Sequence, residues 1–305
     1  MKKRILAAVL VCVAALFSGC GKVPMREAEP PFFVVADEQT GGVVYLLGTM
    51  HVAPKNCALP DRIYEALLSC DTLAVEVDLI ALEEDNDRLS EAMKLMECRG
   101  ETARDLLGED YNEIRAFFKK KRLYNSAFDR YIPAVWSSIL TNKLAEDCGY
   151  YSEYGTDRLL LSYARSYSIP IYEIESAEQQ YRINANEPRE LQVFLLKDSV
   201  RTDYEVQKNQ LRELYRAWSE SDFDALERLI AEDGVPENLT EEYEQFYFEM
   251  YENRQAKMAE YIVDSLKNGD RTFVAVGAMH YFASPDILDF LEREGYSIQL
   301  LSEAA

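Results

Sequence analysis

The sequence contains very little histidine and few basic residues. Only His51 and His280 occur among 305 residues, and 33 lysines and arginines stand against 54 acidic residues, giving a formal net charge of −21 at pH 7. A surface of that sign repels nucleic acid and acidic lipid headgroups, so we expect no nucleic acid partner. The six cysteines include no C-x-x-C pair, which argues against zinc-ribbon and thioredoxin-type chemistry.

Long hydrophobic runs are absent after residue 20, and the one before it is too short for a membrane span of about 20 residues. Basic MKKR and apolar ILAAVLVCVAALF precede Phe17-Ser18-Gly19-Cys20, which resembles the end of a bacterial lipoprotein signal. We therefore predict a lipoprotein signal peptide over residues 1–20, with the lipid on Cys20. An ordinary cleaved signal peptide is the alternative. The expected location is the bacterial cell envelope, outside the cytoplasm, with the lipid anchoring the protein to a membrane.

A short tether is predicted over residues 21–31, GKVPMREAEPP, because this stretch has three prolines and few apolar groups. The folded domain is expected over residues 32–305. Export permits disulfides, so the four remaining cysteines could pair in three ways or stay as free buried thiols. Both alternatives remain open from sequence for Cys57, Cys70, Cys98 and Cys148.

The pattern of apolar residues predicts a mixed α/β fold. FFVVADE and VVYLLGT flank Thr40-Gly41-Gly42 and predict a β-hairpin, and further strands are predicted at 72–79, 169–175, 272–276 and 296–301. Helices are predicted at 60–69, in several pieces over 82–122, at 133–149, 156–168, 187–233, 240–266 and 284–294. We expect two related α/β halves with a largely helical middle insertion. An aromatic stripe on the 240–266 helix is predicted to be core: Tyr243, Phe246, Tyr247, Met250 and Tyr251.

Both histidines end the same pattern, VYLLGTMH over 44–51 and FVAVGAMH over 273–280. In each, an apolar strand is followed by glycine, a small residue, methionine and histidine. A strand end holds the following loop rigidly, and glycine lets backbone or ligand approach closely. The repetition therefore favours a shared site over two incidental histidines. Two imidazoles alone bind a metal poorly, so at least one carboxylate is needed beside them.

Carboxylates occur in two of the predicted strands. Alternation in AVEVD places Glu76 and Asp78 on one face, and YEIE repeats this geometry with Glu173 and Glu175. A carboxylate among apolar residues is costly unless it is paired or bound to metal. Glu76 and Glu175 are therefore candidate site residues, with a solvated strand face as the alternative for each.

Taken in order, these motifs resemble those of the TraB/PrgY/GumN family, which is related to the Tiki metalloproteases. The resemblance covers about residues 32–302. It rests on G-x-x-H at 48–51, VEVD at 75–78, YGTD at 154–157, Glu175 at the end of a strand, Asn253, Arg254 and Met258, and VGAMH at 276–280. It implies an exported or membrane-associated metal-dependent hydrolase, with peptides as the best supported substrates. It also implies that His51 and His280 are the paired histidines, Glu76 the glutamate of the first half and Arg254 the arginine before the last strand.

The resulting hypothesis is a metallohydrolase that acts on a peptide or small molecule. His51, Glu76 and His280 would hold manganese, cobalt or zinc, whose bound water attacks a carbonyl. Glu175 would accept the proton from that water, and Arg254 would stabilise the oxyanion. Without the family, an ordinary salt bridge is an equally good reading of Arg254. Two other readings stay open: a lipoprotein that captures a peptide or a cofactor such as haem without cleaving it, and a structural envelope lipoprotein.

Overall fold

The computed structural model describes residues 25–230 and 235–302. The predicted signal peptide and Cys20, the predicted site of lipidation, lie outside these residues. Within the described ranges, no helix is both long enough and apolar enough to cross a membrane.

A six-stranded mixed sheet forms the centre of the fold. The strands of the chain are β1 (Arg26–Glu27), β2 (Phe32–Ala36), β3 (Val43–Thr49), β4 (Cys57–Ala58), β5 (Thr72–Val75), β6 (Ile171–Glu173), β7 (Arg271–Gly277) and β8 (Ile298–Leu300). The order across the sheet is β6-β5-β7-β3-β2-β8, while β1 and β4 form a separate parallel pair. Strands β3, β7, β5 and β6 are mutually parallel, and β2 runs antiparallel to β3 and β8. The carboxyl ends of four neighbouring strands therefore meet at one edge.

Helices make up most of the rest of the chain. They are α1 (Asp61–Leu68), α2 (Leu79–Glu84), α3 (Asn86–Leu95), α4 (Ala103–Leu107), α5 (Tyr111–Lys120), α6 (Pro133–Asp147), α7 (Thr156–Ser166), α8 (Ala177–Asn186), α9 (Arg189–Arg201), α10 (Tyr204–Ser219), α11 (Phe223–Ile230), α12 (Thr240–Tyr247), α13 (Asn253–Asn268) and α14 (Ile287–Arg293). The predicted mixed α/β class and the predicted hairpin, β2 with β3, are confirmed. The middle of the chain predicted to be helical over 187–233 is helical from α9 to α11, and its last three residues lie outside the described part.

The core has two layers, one on each face of the sheet, because the central strands bury both faces. In β7, Phe273 packs with α1 and α7, whereas Val274 packs with α13 and α14 on the opposite face. The same alternation in β3 sends Leu47 to the first layer and Leu46 to the second. A third cluster, around Trp136, joins α4, α5, α6 and α9 away from the sheet. Helices therefore cover both faces and leave the carboxyl edge of the strands to loops.

Two predicted boundaries are wrong. β5 ends at Val75 and β6 ends at Glu173, so residues 76–78 and 174–175 are not in strands. Strand alternation therefore cannot be what places Glu76 or Glu175. The tether predicted over 21–31 is also too long in its described part, because Arg26–Glu27 pairs with Cys57–Ala58 and Ala28 is buried.

The structure decides between the alternatives for the cysteines and shows how the aromatic stripe packs. The four cysteines of the domain are free thiols, with Cys57 and Cys70 buried. Tyr243 and Phe246 are core residues, as predicted, and pack with Leu191 of α9. The stripe thus belongs mainly to packing between helices.

Trp218, in α10, connects this helix to the end of β3. Its indole is fully buried, and its Nε1 donates a hydrogen bond to the Gly48 carbonyl at 2.8 Å. Gly48 lies three residues before His51, so this bond fixes the backbone at the start of the first G-x-x-H segment.

Replacing Trp218 with phenylalanine should lower the free energy of unfolding by about 1–3 kcal/mol, because a buried hydrogen bond and ring volume are lost. Trp136→Phe is the matched control, since Trp136 donates a comparable bond to the Phe128 carbonyl at 3.1 Å in a different cluster. Urea unfolding of both variants and the double variant should show additive losses. A Trp218→Phe protein as stable as the wild type would contradict the role assigned to this bond.

Candidate functional site

Four predicted site residues follow the four parallel strands at their carboxyl edge. His51 follows β3, Glu76 follows β5, Glu175 follows β6 and His280 follows β7. In open α/β sheets this edge is the usual place for a ligand, because loops from several strands converge there. Arg254, from the first turn of α13, reaches the same place. The structure therefore brings all five predicted side chains together from distant parts of the chain.

Gly277, the last residue of β7, leaves open the space between His51 and Glu76. A methyl group in place of its hydrogen would lie 3.2 Å from Glu76 Oε1 and 3.5 Å from His51 Nε2. The Gly277 amide also donates to Glu76 Oε1 at 2.7 Å. His280 Nε2 lies 3.8 Å from the same Glu76 oxygen. Glu76 Oε1 and His51 Nε2 thus both border Gly277, and His280 Nε2 lies beside the same Glu76 oxygen.

Arg254 joins the two glutamates of the site. Its Nη2 donates to Glu76 Oε2 at 2.6 Å, and its Nε and Nη2 each donate to a different Glu175 oxygen at 2.8 Å. Arg254 is 7% exposed and Glu175 9%, so these charges are nearly removed from water. Burial is the largest effect and acts to raise the pKa of Glu76, but Arg254, the two histidines and the Gly277 amide together outweigh it and lower that pKa to about 2. Glu76 is therefore a carboxylate at neutral pH.

Asp157 orients His51, and the sequence reading assigned it no role. His51 Nδ1 lies 3.1 Å from Asp157 Oδ2, while the other Asp157 oxygen accepts from Thr49 Oγ1 at 2.6 Å. This leaves Nε2 as the nitrogen that faces Glu76. The Asp157 charge raises the pKa of His51 to about 9, against the opposing effect of burial. The YGTD motif contained the signal, because a buried Gly155 and a helix start place Asp157 under the histidine loop.

His280 has the opposite electrostatic environment. It is 4% exposed, and burial together with the Arg254 charge lowers its pKa to about 3. Its imidazole is therefore neutral at physiological pH, with lone-pair capacity for a metal. Its Nδ1 is buried without a hydrogen-bond partner, and its ring lies 6.1 Å from that of Tyr251.

Gln180 of α8 is a second residue that the sequence reading missed. Its Nε2 donates to Glu76 Oε2 and to Glu175 Oε2, each at 3.0 Å, and so bridges the two carboxylates. Nothing in the local sequence marks it, because it lies within an ordinary helix. Asp78 and Glu173, the alternation partners of the two glutamates, lie outside this network and pair with Arg165 and Arg88.

The chemical types of the side chains at this site are those that bind divalent metals. Two imidazoles and a carboxylate suit zinc, manganese or cobalt, and a carboxylate behind a histidine is the usual outer support of such ligands. Across the described residues, however, no group of three or more histidine, cysteine, aspartate or glutamate side chains is placed closely enough to hold a metal ion. Glu76 is instead held by Arg254 and Gly277.

Asparagine in place of Asp157 should lower the pKa of His51 from about 9 toward the ordinary value of 6.5, because the adjacent charge is removed. The metal-free protein can be titrated by NMR, where only two histidine rings give signals. The His280 ring should stay neutral throughout the physiological range in both proteins.

Asp129→Asn is the matched control, since Asp129 accepts hydrogen bonds from Tyr111 and Tyr124 and has no contact with His51 among the hydrogen bonds described. It should leave the His51 titration unchanged. A His51 pKa that does not move in Asp157→Asn would refute the assigned pair.

Comparison with known proteins agrees with the order of motifs at this site. A sequence model described as the TraB/PrgY/gumN family matches residues 31–300, which include the whole sheet edge and its histidines. Neither curated proteins nor solved structures give a match. Because the family match spans nearly all of the domain, this chain belongs to the TraB/PrgY/gumN family.

Proposed function

We propose that this protein is an exported, lipid-anchored, metal-dependent hydrolase that acts on peptides. The observation that carries the proposal is the placement of His51 Nε2 and Glu76 Oε1 beside Gly277, with His280 Nε2 3.8 Å from that Glu76 oxygen. The peptide substrate class rests on the resemblance of the site motifs to the TraB/PrgY/GumN family, whose relation to the Tiki metalloproteases implies peptide cleavage, and export rests on the signal-like start of the sequence.

His51, Glu76 and His280 are the residues that would hold the ion, which we propose to be manganese, cobalt or zinc. When bound, such an ion supplies Lewis acidity, which acidifies water and polarises a carbonyl at neutral pH. The protein contributes a neutral imidazole at His280, an ionised Glu76 and, through Asp157, a fixed orientation of His51. These three properties are the ones that a rigid set of metal ligands requires.

Arg254 has most of its donors engaged by the protein. Nε and Nη2 bind the two glutamates, and Nη1 donates to the Met250 carbonyl at 3.2 Å. An oxyanion would have to compete with these acceptors. We therefore assign Arg254 first to holding Glu76 in position, while its buried positive charge favours negative charge that develops nearby.

Glu175 remains the candidate proton acceptor, although its carboxylate is well occupied. Both oxygens accept from Arg254, and one also accepts from Gln180. To take a proton, Glu175 would have to give up part of this pairing. In the present arrangement its main effect is to fix Arg254, and through it Glu76.

One observation favours the second candidate function, capture of a peptide or a cofactor such as haem without cleavage. Each carboxylate around the histidines already has a strong partner: Glu76 and Glu175 pair with Arg254, and Asp157 pairs with His51. A site of this kind can bind without providing an unpaired base. Turnover and binding must therefore be measured separately.

Single substitutions of the proposed ligands should abolish stoichiometric metal binding. His51→Ala, His280→Ala and Glu76→Gln each remove one donor, so dialysis against Mn²⁺, Co²⁺ or Zn²⁺ followed by elemental analysis should detect about one ion per wild-type chain and little in the variants. Cleavage of a peptide library, followed by mass spectrometry, should fall in parallel. Bound metal with no cleavage by the wild type would favour capture.

Glu173→Gln is the matched control, because Glu173 is a carboxylate at the end of the neighbouring strand that pairs with Arg88 outside the site. It should keep its metal. Gly277→Ala tests the site without removing a ligand. Its methyl group would lie 3.2 Å from Glu76 Oε1 and should weaken metal binding while the protein stays folded, so a loss of metal in this variant cannot be attributed to unfolding. Metal content and cleavage unchanged in both histidine variants would overturn the proposal.

The proposed lipid anchor depends on Cys20. In a bacterial host fed a labelled fatty acid, the full-length chain should take up label and remain with membranes, whereas Cys20→Ser should do neither. Cys57→Ser provides the comparison, because Cys57 is a buried thiol of the domain. Label that persists in Cys20→Ser would exclude lipidation at this position.

A further inference from the structure

A cavity of about 350 Å³ lies on the side of Arg254 formed by α8, α12 and α13. It shares Glu175 and Arg254 with the candidate metal site, so its inner wall is part of that site. Apolar side chains from three parts of the chain form other walls: Ile174, Ile183 and Phe246. A group bound here would therefore lie next to the Arg254 pairs.

Glu187 lines this cavity and is unusual among its acidic residues. It lies between α8 and α9, is 7% exposed, and its Oε1 is buried with no hydrogen-bond partner. Its backbone is fixed, because the amide donates to the Asn184 carbonyl and the carbonyl accepts from Gln192 Nε2. A buried carboxyl without a partner is costly, and a ligand that supplies one would remove that cost.

The other charged groups of the cavity have partners or face solvent. Arg254 is neutralised by Glu76 and Glu175, and Arg182 pairs with Glu178 on the surface. Glu249 is exposed and accepts from Asn253, and Lys257 is exposed at the cavity rim. Among the charged residues that line the cavity, Glu187 is thus the buried one whose charge has no counterpart.

We propose that this cavity, the Glu187 cavity, binds a basic side chain of the peptide ligand, an arginine or lysine, with Glu187 as its counter-ion. The proposal rests on the proposed function in one respect, that the ligand is a peptide. A long basic side chain can place its methylene groups against Ile174, Ile183 and Phe246 and its charged end at Glu187. The formal net charge of −21 would also attract basic peptides to the protein.

The protonation of Glu187 gives the interaction a definite pH dependence. Burial raises the pKa of the free Glu187 carboxyl to about 8, so the group is mostly neutral at pH 7 without a ligand. A cationic ligand requires the ionised form, so its affinity should rise as pH increases toward 8. A ligand recognised by the neutral carboxyl would show the opposite trend.

Two small probes of equal shape test the proposal: N-butylguanidinium, which carries the charge of arginine, and uncharged N-butylurea. Binding to the full chain is measured by NMR titration. The wild type should prefer the guanidinium by about tenfold, the size of a modest partly buried ion pair. Glu187→Gln should bind both probes equally, because glutamine keeps the shape and removes the charge. Glu249→Gln, which alters an exposed acid at the same cavity, should keep the preference.

Equal binding of both probes by the wild type would overturn the proposal, as would a preference that survives in Glu187→Gln. Affinity for the guanidinium that falls between pH 6 and pH 8 would also overturn it. The assay needs neither metal nor turnover, so it is independent of the hydrolase. If His280→Ala loses metal but keeps the preference, the cavity assignment stands on its own. If peptides are cut while no preference exists, the hydrolase stands and the cavity assignment fails.

Discussion

The site depends on one buried cation held between two carboxylates. Arg254 binds Glu76 from the end of β5 and Glu175 from the end of β6, and Gln180 connects the same two acids from the other side. Removing these charges from water costs several kcal/mol each, and only close pairing offsets that cost. Loss of any one partner would leave an uncompensated buried charge. The pairing therefore holds α13 against the sheet edge and fixes the position of the Glu76 side chain relative to the two histidines.

The two histidines differ in exposure and charge although their sequence motifs match. The His51 side chain is 37% exposed and has a carboxylate behind it, whereas His280 is buried close to a cation. One histidine is thus drawn toward the protonated form and the other is kept neutral. The identical G-x-M-H pattern fixes where the backbone places each ring, and the neighbouring helices decide its protonation. Position is a local property of this fold, while protonation comes from tertiary contacts.

The distinction between local pattern and tertiary contact also explains which features could be predicted from sequence. The hairpin, the start of α6 at Pro133 and the positions of both histidines follow from local patterns, and they are confirmed. Glu76 and Glu175 were selected by strand alternation, but they reach the histidines because β5 and β6 end just before them. The contributions of Gln180 and Asp157 depend on how helices dock on the sheet edge. No periodicity in one sequence encodes that docking, so Gln180 emerges only from the structure, and the YGTD motif marks Asp157 without showing its contact with His51.

The place of β7 in the sheet has a consequence for the order of assembly. β7 lies between β3 and β5, yet it follows them in the chain by about two hundred residues. During synthesis, β3 and β5 are complete long before the strand that joins them exists, and their facing edges have no partner until then. The central strand β7 is therefore made after both of its neighbours, and of the described strands only the edge strand β8 follows it. The histidine that β7 delivers arrives with that step, so a chain stalled before residue 271 lacks both the strand that joins β3 to β5 and His280.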